Sequence, residues 1–144
     1  QLQALTPIPI LSMLEATAKA CAAAYPGKTA AILATKGTLA TRLYDNALAK
    51  EGVACLTPDE AGQDALMRVI YDGVNAGAAP HAYRQDMTRV LEDLTDRGAD
   101  YFILGCTELP LAAQALHITL PTVDPTAELA KAAIRFCGYG VRGE

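Results

Sequence analysis

The sequence predicts an α/β domain in three layers, a parallel sheet with helices on both faces. Three observations lead there. Its short apolar runs lack the polar alternation of a half-solvated strand, so the strands they form are covered on both sides. These runs alternate with segments of helical period, the pattern of strand–helix–strand crossovers. Finally, 144 residues of which 51% are hydrophobic and 19% charged supply one domain-sized core and exclude a disordered chain.

The elements follow in order. The apolar run 7–11 predicts a strand, and the alanine-rich stretch 14–25 predicts a helix stopped by Pro26-Gly27. Residues 28–34 predict a second strand, closed by Thr35-Lys36-Gly37-Thr38 as a glycine turn. After it Leu39, Leu43, Ala47 and Leu48 recur on one helical face up to Lys50-Glu51-Gly52. Residues 53–56 predict a third strand. Thr57-Pro58-Asp59-Glu60 then reads as a helix entry with proline at the first position and acids in the first turn, for a helix reaching Ala76-Gly77. Over 80–97, Tyr83, Met87, Val90, Leu91 and Leu94 form an apolar stripe. Arg84, Asp86, Arg89, Asp93 and Asp96 form a solvated stripe with neighbouring ion pairs, and Gly98 stops the helix. Residues 101–104 predict a buried strand that passes through Gly105-Cys106-Thr107-Glu108 into a short helix over 109–116. Residues 119–123 predict a last strand, and Asp124-Pro125-Thr126 opens a helix with Leu129, Ala133 and Phe136 on its apolar side.

Composition narrows the partners. With 12 Lys+Arg against 16 Asp+Glu, a net charge of -4, and no two basic residues adjacent, nucleic acid and anionic membranes find nothing to hold. No apolar stretch approaches the roughly 18 residues of a membrane span. Cys21, Cys55, Cys106 and Cys137 are widely spaced and His81 and His117 lie far from each of them, so no zinc pattern is present and no metal is expected. The thiols read as reduced and the chain as cytoplasmic. The first residue is Gln1 rather than Met, from which a preceding segment is expected.

Ligands of a parallel sheet gather at the carboxyl ends of its strands, where helix N-termini point free N–H groups. Two segments fall there. In Thr35-Lys36-Gly37-Thr38 the hydroxyls and backbone N–H groups can cradle a carboxylate; equally, one threonine can be a helix cap and Gly37 a turn residue. In Gly105-Cys106-Thr107-Glu108-Leu109-Pro110, with Thr107 as N-cap and Pro110 in the first turn, Cys106 sits where the helix dipole favours a thiolate, and Gly105 admits a close neighbour. Cys106 can also be a small buried hydrophobe, and Glu108 a plain first-turn acid. Packing accounts for Cys21, Cys55 and Cys137.

These segments, with Pro7-Ile8-Pro9-Ile10-Leu11-Ser12-Met13-Leu14-Glu15-Ala16-Thr17, Tyr44 and Ile70-Tyr71-Asp72-Gly73-Val74-Asn75-Ala76-Gly77, resemble the cofactor-independent aspartate/glutamate racemases. The resemblance implies one lobe of a two-lobe racemase fold, with a substrate cleft between the lobes and one catalytic cysteine from each. Residues 28–116 would be the second lobe, and 1–27 and 117–144 segments that pack with a first lobe. The family's other cysteine, in a Cys-Asn-Thr type segment, has no counterpart here, and Asn75 stands where many relatives place Lys. The resemblance implies Cys106 as a catalytic thiol, Thr107 and Glu108 as holders of the amino acid's polar groups, and Thr35, Gly37 and Thr38 as the carboxylate site. It implies no cofactor, an acidic amino-acid substrate of the aspartate or broad-specificity kind, and a homodimer when complete. Two alternatives stand beside it: a single-cysteine relative akin to the superfamily's decarboxylases, against which Glu108 counts, and a non-catalytic anion-binding lobe.

Overall fold

A computed structural model describes residues 2–142; Gln1, Gly143 and Glu144, at the ends of the two flanking segments, lie outside the described residues. Four parallel strands form one sheet in the order β2-β1-β3-β4. The central pair, β1 (Ala30–Leu33) and β3 (Tyr101–Leu104), is in register from Ala30↔Tyr101 to Leu33↔Leu104. The flanking strands β2 (Cys55–Leu56) and β4 (Thr122–Val123) are two residues each.

Every residue of β1 and β3 is buried, and their side chains alternate between two cores. Ala31, Leu33, Phe102 and Leu104 face one core with residues of α4 (Glu60–Arg68), α5 (Pro80–Asp96) and α6 (Glu108–Ala115). Ala30, Ile32, Tyr101 and Ile103 face the other with residues of α1 (Met13–Ala24) and α3 (Leu43–Lys50). Continuous apolar runs therefore become strands because both faces leave water, each large side chain contributing about 1.5–3 kcal/mol on burial. A last helix, α7 (Pro125–Phe136), lies along α1. The three-layer α/β reading holds.

On α5, the predicted stripe Tyr83, Met87, Val90, Leu91 and Leu94 is the buried set. Its opposite face carries the ion pairs Arg97–Asp93 at 2.9 Å and, across to α4, Arg68–Asp86 at 2.7 Å. Gly98, at φ 97, ends the helix in the left-handed conformation that a side chain would strain.

Five details differ from expectation. Residues 7–11 form no strand. Pro7 and Pro9 have no N–H to give a ladder, and the segment closes on Gln3 instead: its Nε2 donates to the carbonyls of Thr6 (3.2 Å) and Ile8 (3.1 Å), and its Oε1 accepts from the Ile10 N–H (2.7 Å). The helix expected across 39–50 is two, α2 (Lys36–Ala40) and α3, parted at Arg42, whose φ is 52. There the Thr41 hydroxyl takes the Thr38 carbonyl at 2.6 Å, a local bond that competes with helix continuation. Pro58 is not the first residue of α4; Asp59 caps it, accepting from the Gly62 N–H at 2.7 Å. Beyond α4 the helix widens to a π-helical turn, Val69–Asn75, with the Tyr83 ring packed on Gly73. On α7 only Pro125 is buried; of the expected apolar side Leu129 and Ala133 are half-buried and Phe136, at the groove toward α1, is 61% exposed.

Candidate functional site

β1 and β3 end at the same level, so the loops that follow them emerge side by side. Gly105 ties them together: its N–H donates to the Leu33 carbonyl at 2.7 Å. A Cβ at this position would stand 3.1 Å from that carbonyl oxygen, 3.2 Å from the Ala34 Cβ and 3.3 Å from the Tyr44 ring. The absence of a side chain at Gly105 is what lets the β1 loop close on the Cys106 loop.

On the β1 side, Thr35 caps α2. Its Oγ1 accepts from the Thr38 N–H at 3.3 Å and lies 3.0 Å from the Thr38 Oγ1. Both threonines are half-buried. Gly37 is exposed within α2, does not have a left-handed φ, and has open room for a Cβ, so the tight turn expected of it is not present.

On the β3 side, Cys106 is half-buried, neither sealed nor fully open. Its thiol donates to Glu108 Oε2 at 2.7 Å, and the Thr107 hydroxyl donates to the same oxygen at 3.0 Å. Thr107 stands at the N-cap position of α6 but in helical φ/ψ, and it makes no cap bond; its hydroxyl is spent on Glu108. Pro110 is in the first turn of α6, as expected.

The electrostatics correct one expectation. Burial first, and then the hydrogen bond and charge of Glu108, push the Cys106 thiol above its ordinary value. The backbone N–H groups of Glu108 and Thr107 pull the other way and lose. The resting form is the thiol, not the thiolate that the helix entry alone would favour. Glu108 is held below the usual carboxylate value by the Cys106 thiol first, then by its own backbone N–H, Thr107 and the Asn75 side chain.

Tyr44, from α3, is the residue whose role the spacing did not show. It is 3% exposed, its ring packs on Gly105, and its hydroxyl has no hydrogen-bond partner among the described residues. Burial, then the charges of Asp124, Cys21 and Cys106, push it up to about 12, so it stays a neutral phenol. The apolar periodicity of 39–50 puts Leu43 on the buried face; Leu43 is 51% exposed and its neighbour Tyr44 is buried instead.

The remaining cysteines are apart from this site. Cys21 is fully buried against Tyr101, Cys55 is half-buried in β2, and Cys137 is exposed, so packing explains the first two and not the third. Among the described residues no group of three His, Cys, Asp or Glu side chains could hold a metal ion, and no helix is long and apolar enough to cross a membrane. An open groove of about 1080 Å³ lies elsewhere, between α1 and α7, with Ala16, Ala20, Ala127 and Phe136 in its lining.

Fold and site together define a doubly wound α/β fold that sets a thiol and a carboxylate at the carboxyl edge of its sheet. The family model described as Asp/Glu/Hydantoin racemase matches residues 1–133, and the chain belongs to this family. It is 36% identical over 107 residues to an uncharacterized protein from the pnlA 3' region of Pectobacterium carotovorum subsp. carotovorum, covering 73% of this chain and 70% of that one. It is 32% identical over 126 residues to a glutamate racemase of Haemophilus ducreyi, covering 85% of this chain and 44% of that one. Among solved structures, an aspartate racemase homologue from Pyrococcus horikoshii shares the fold with a TM-score of 0.82 at 23% identity, covering 95% of this chain and 60% of that one. The chain thus spans about half the length of these racemases.

Proposed function

We propose that this chain is the second lobe of a cofactor-independent racemase of an acidic amino acid, aspartate or a broader set, and that it supplies one of two catalytic thiols, Cys106. The observation that carries the reading is the half-buried Cys106 sulfur, hydrogen-bonded to Glu108 at the end of β3, beside the paired Thr35 and Thr38 hydroxyls at the end of β1. Inversion needs a base on one face of the α-carbon and an acid on the other. A thiolate takes the α-proton, the electron pair stays on carbon and spreads into the carboxylate, and a thiol on the opposite face delivers a proton. One sulfur cannot flank both faces. The opposite thiol is assigned to a first lobe, in keeping with the length by which the relatives exceed this chain.

In this reading Thr35, Thr38 and the N–H groups around Gly37 bind the substrate carboxylate, where donors stabilise the carbanion, and Thr107 and Glu108 border its polar groups. Residues 28–116 form the catalytic lobe. Segments 1–27 and 117–144 present the surface toward the first lobe, supported by the exposed Ile8, Ile10, Met13, Ile134 and Phe136 and by the groove between α1 and α7. The intact protein would be a cytoplasmic homodimer.

The test is α-proton exchange. Enantiopure aspartate and glutamate in heavy water, incubated with this chain joined to its first lobe, acquire α-deuterium with inversion. Cys106→Ser in that protein lowers the rate by about 10²–10⁴-fold. Full inversion by the isolated 144 residues would overturn the half-site, and unimpaired exchange in Cys106→Ser would overturn the role of the sulfur.

A further inference from the structure

The two donors that converge on one oxygen of Glu108 say more than that a carboxylate is near a thiol. A first-turn acid serving only the helix dipole, or one free to meet a substrate amine, has no reason to take a thiol at 2.7 Å and a hydroxyl at 3.0 Å on the same Oε2. The direction of the bonds is fixed by chemistry: a carboxylate only accepts, so the proton sits on sulfur. The site is also built from two elements. Cys106, Thr107 and Glu108 come from the β3–α6 junction, and Asn75, the last residue of the π-helical turn, is among the groups that hold the Glu108 carboxyl below its usual value. Wide turns of this kind recur where a helix must aim a side chain at a functional group.

We propose that Glu108 is a positioning residue for Cys106: its Oε2 holds the sulfur as a protonated thiol at rest and fixes its rotamer, with the Thr107 hydroxyl holding the carboxylate in place. The inference rests on the racemase reading for its importance, but it concerns the sulfur itself and is measured there. When the S–H bond breaks to protonate carbon, the electron pair stays on sulfur beside an existing carboxylate. Two anions then share a confined place, a state that recovers a proton rather than persists. Cys106 therefore rests as the thiol that protonates carbon in one direction, and the thiolate left behind is the base that takes the α-proton in the reverse direction. The groups that face the sulfur are few: Glu108 from α6 and the neutral phenol of Tyr44 from α3, with the backbone N–H groups of Thr107 and Glu108. Removing the Glu108 charge takes away one of the two influences that raise the thiol; burial remains, and the backbone N–H groups that favour thiolate then weigh more against it.

The experiment is the pH dependence of iodoacetamide alkylation, read separately at each cysteine by peptide mass spectrometry, in the wild-type chain and in Glu108→Gln, Thr107→Val and Asn75→Leu. Cys137, exposed, and Cys55, half-buried and distant in the fold, serve as internal references. In Glu108→Gln the Cys106 midpoint falls by about half to one pH unit, and its alkylation at pH 7 rises roughly three- to tenfold, while the references stay unchanged. Thr107→Val and Asn75→Leu move Cys106 in the same direction by less. Should Glu108→Gln fail to fold, Glu108→Ala carries the same test, because it removes both the charge and the acceptor and also lowers the midpoint. A Cys106 profile that is unchanged or moved upward overturns the proposal, and so does an equal shift at Cys55 and Cys137. Absence of racemisation with the expected alkylation profile would sink the function and leave the thiol–carboxylate assignment standing. The converse result would do the reverse.

Discussion

Gly105 is the residue on which the site's assembly turns. A methyl group there meets a backbone carbonyl at 3.1 Å and the buried Tyr44 ring at 3.3 Å, and neither can swing away as a flexible side chain would. Gly105→Ala is expected to lower stability by about 1–3 kcal/mol, as overpacking does in close-packed cores. Urea denaturation of the two proteins checks it; an unchanged midpoint would show that the β1 and β3 loops have slack. Gly73 is the harsher case, because a Cβ there would sit 2.6 Å from the Tyr83 ring inside a core. Gly73→Ala is expected to cost at least as much as Gly105→Ala in the same measurement. From sequence, Gly105 is expected to admit a close neighbour, as it does, whereas Gly37 is expected in a tight turn that is not present, and no expectation of close packing attaches to Gly73. What separates them is which atoms lie opposite, and that is a property of the packed molecule.

At the scale of elements, α5 shows what pattern can reveal. Its apolar stripe repeats with helical period, and each predicted member is buried, because one helix lying on one sheet face makes burial a simple function of angle. The central strands were legible too, as apolar runs covered on both sides: 101–104 matches β3 end to end, and 28–34 contains β1. The edge strands came out shorter than the runs 53–56 and 119–123, since a strand with one neighbour keeps only the part that the neighbour spans. The break at Arg42 and the π-helical turn at Val69–Asn75 left no comparable trace, for they arise from the Thr41–Thr38 bond and from the fit of Tyr83 on Gly73. The site was legible in the same uneven way: the positions of Cys106 and Thr35 followed from where strands end, whereas the turn of Glu108 onto sulfur required coordinates.

The pair joining α4 to α5 carries a pH prediction. Arg68 donates twice to Asp86, at 2.7 and 2.8 Å, and holds that carboxyl below its ordinary value. A carboxyl with a depressed native pKa adds stability above its unfolded value, near 3.9, and loses that contribution as pH falls through the native one. Asp86→Asn is therefore expected to be less stable than the parent at pH 6, with the difference closing below about pH 4. Thermal melts across that range test it, and a gap independent of pH would assign the effect to packing instead.

For the whole molecule, the two faces of the sheet are not equally finished. One core is closed by α4, α5 and α6, while beyond α1 and α7 the surface keeps Met13, Ile134 and Phe136 exposed around an open groove. Without the proposed first lobe, this chain is expected to self-associate as its concentration rises, and Phe136→Asp is expected to return it toward monomer in sedimentation velocity. A monomer at every concentration would argue that this side needs no covering.

The bend at residues 3–10 has a separate consequence. A single glutamine, through its two amide atoms, ties off that bend from within, and the body of the lobe takes no part in the knot. On α1, behind its Ser12 cap, Leu14 is the first side chain packed on the core, followed by the buried Thr17, Ala18 and Cys21. An endoprotease cutting between Ile10 and Leu11 should therefore detach a small, self-tied tag, keep the Ser12 cap of α1 and leave a remainder that melts at the same temperature as before.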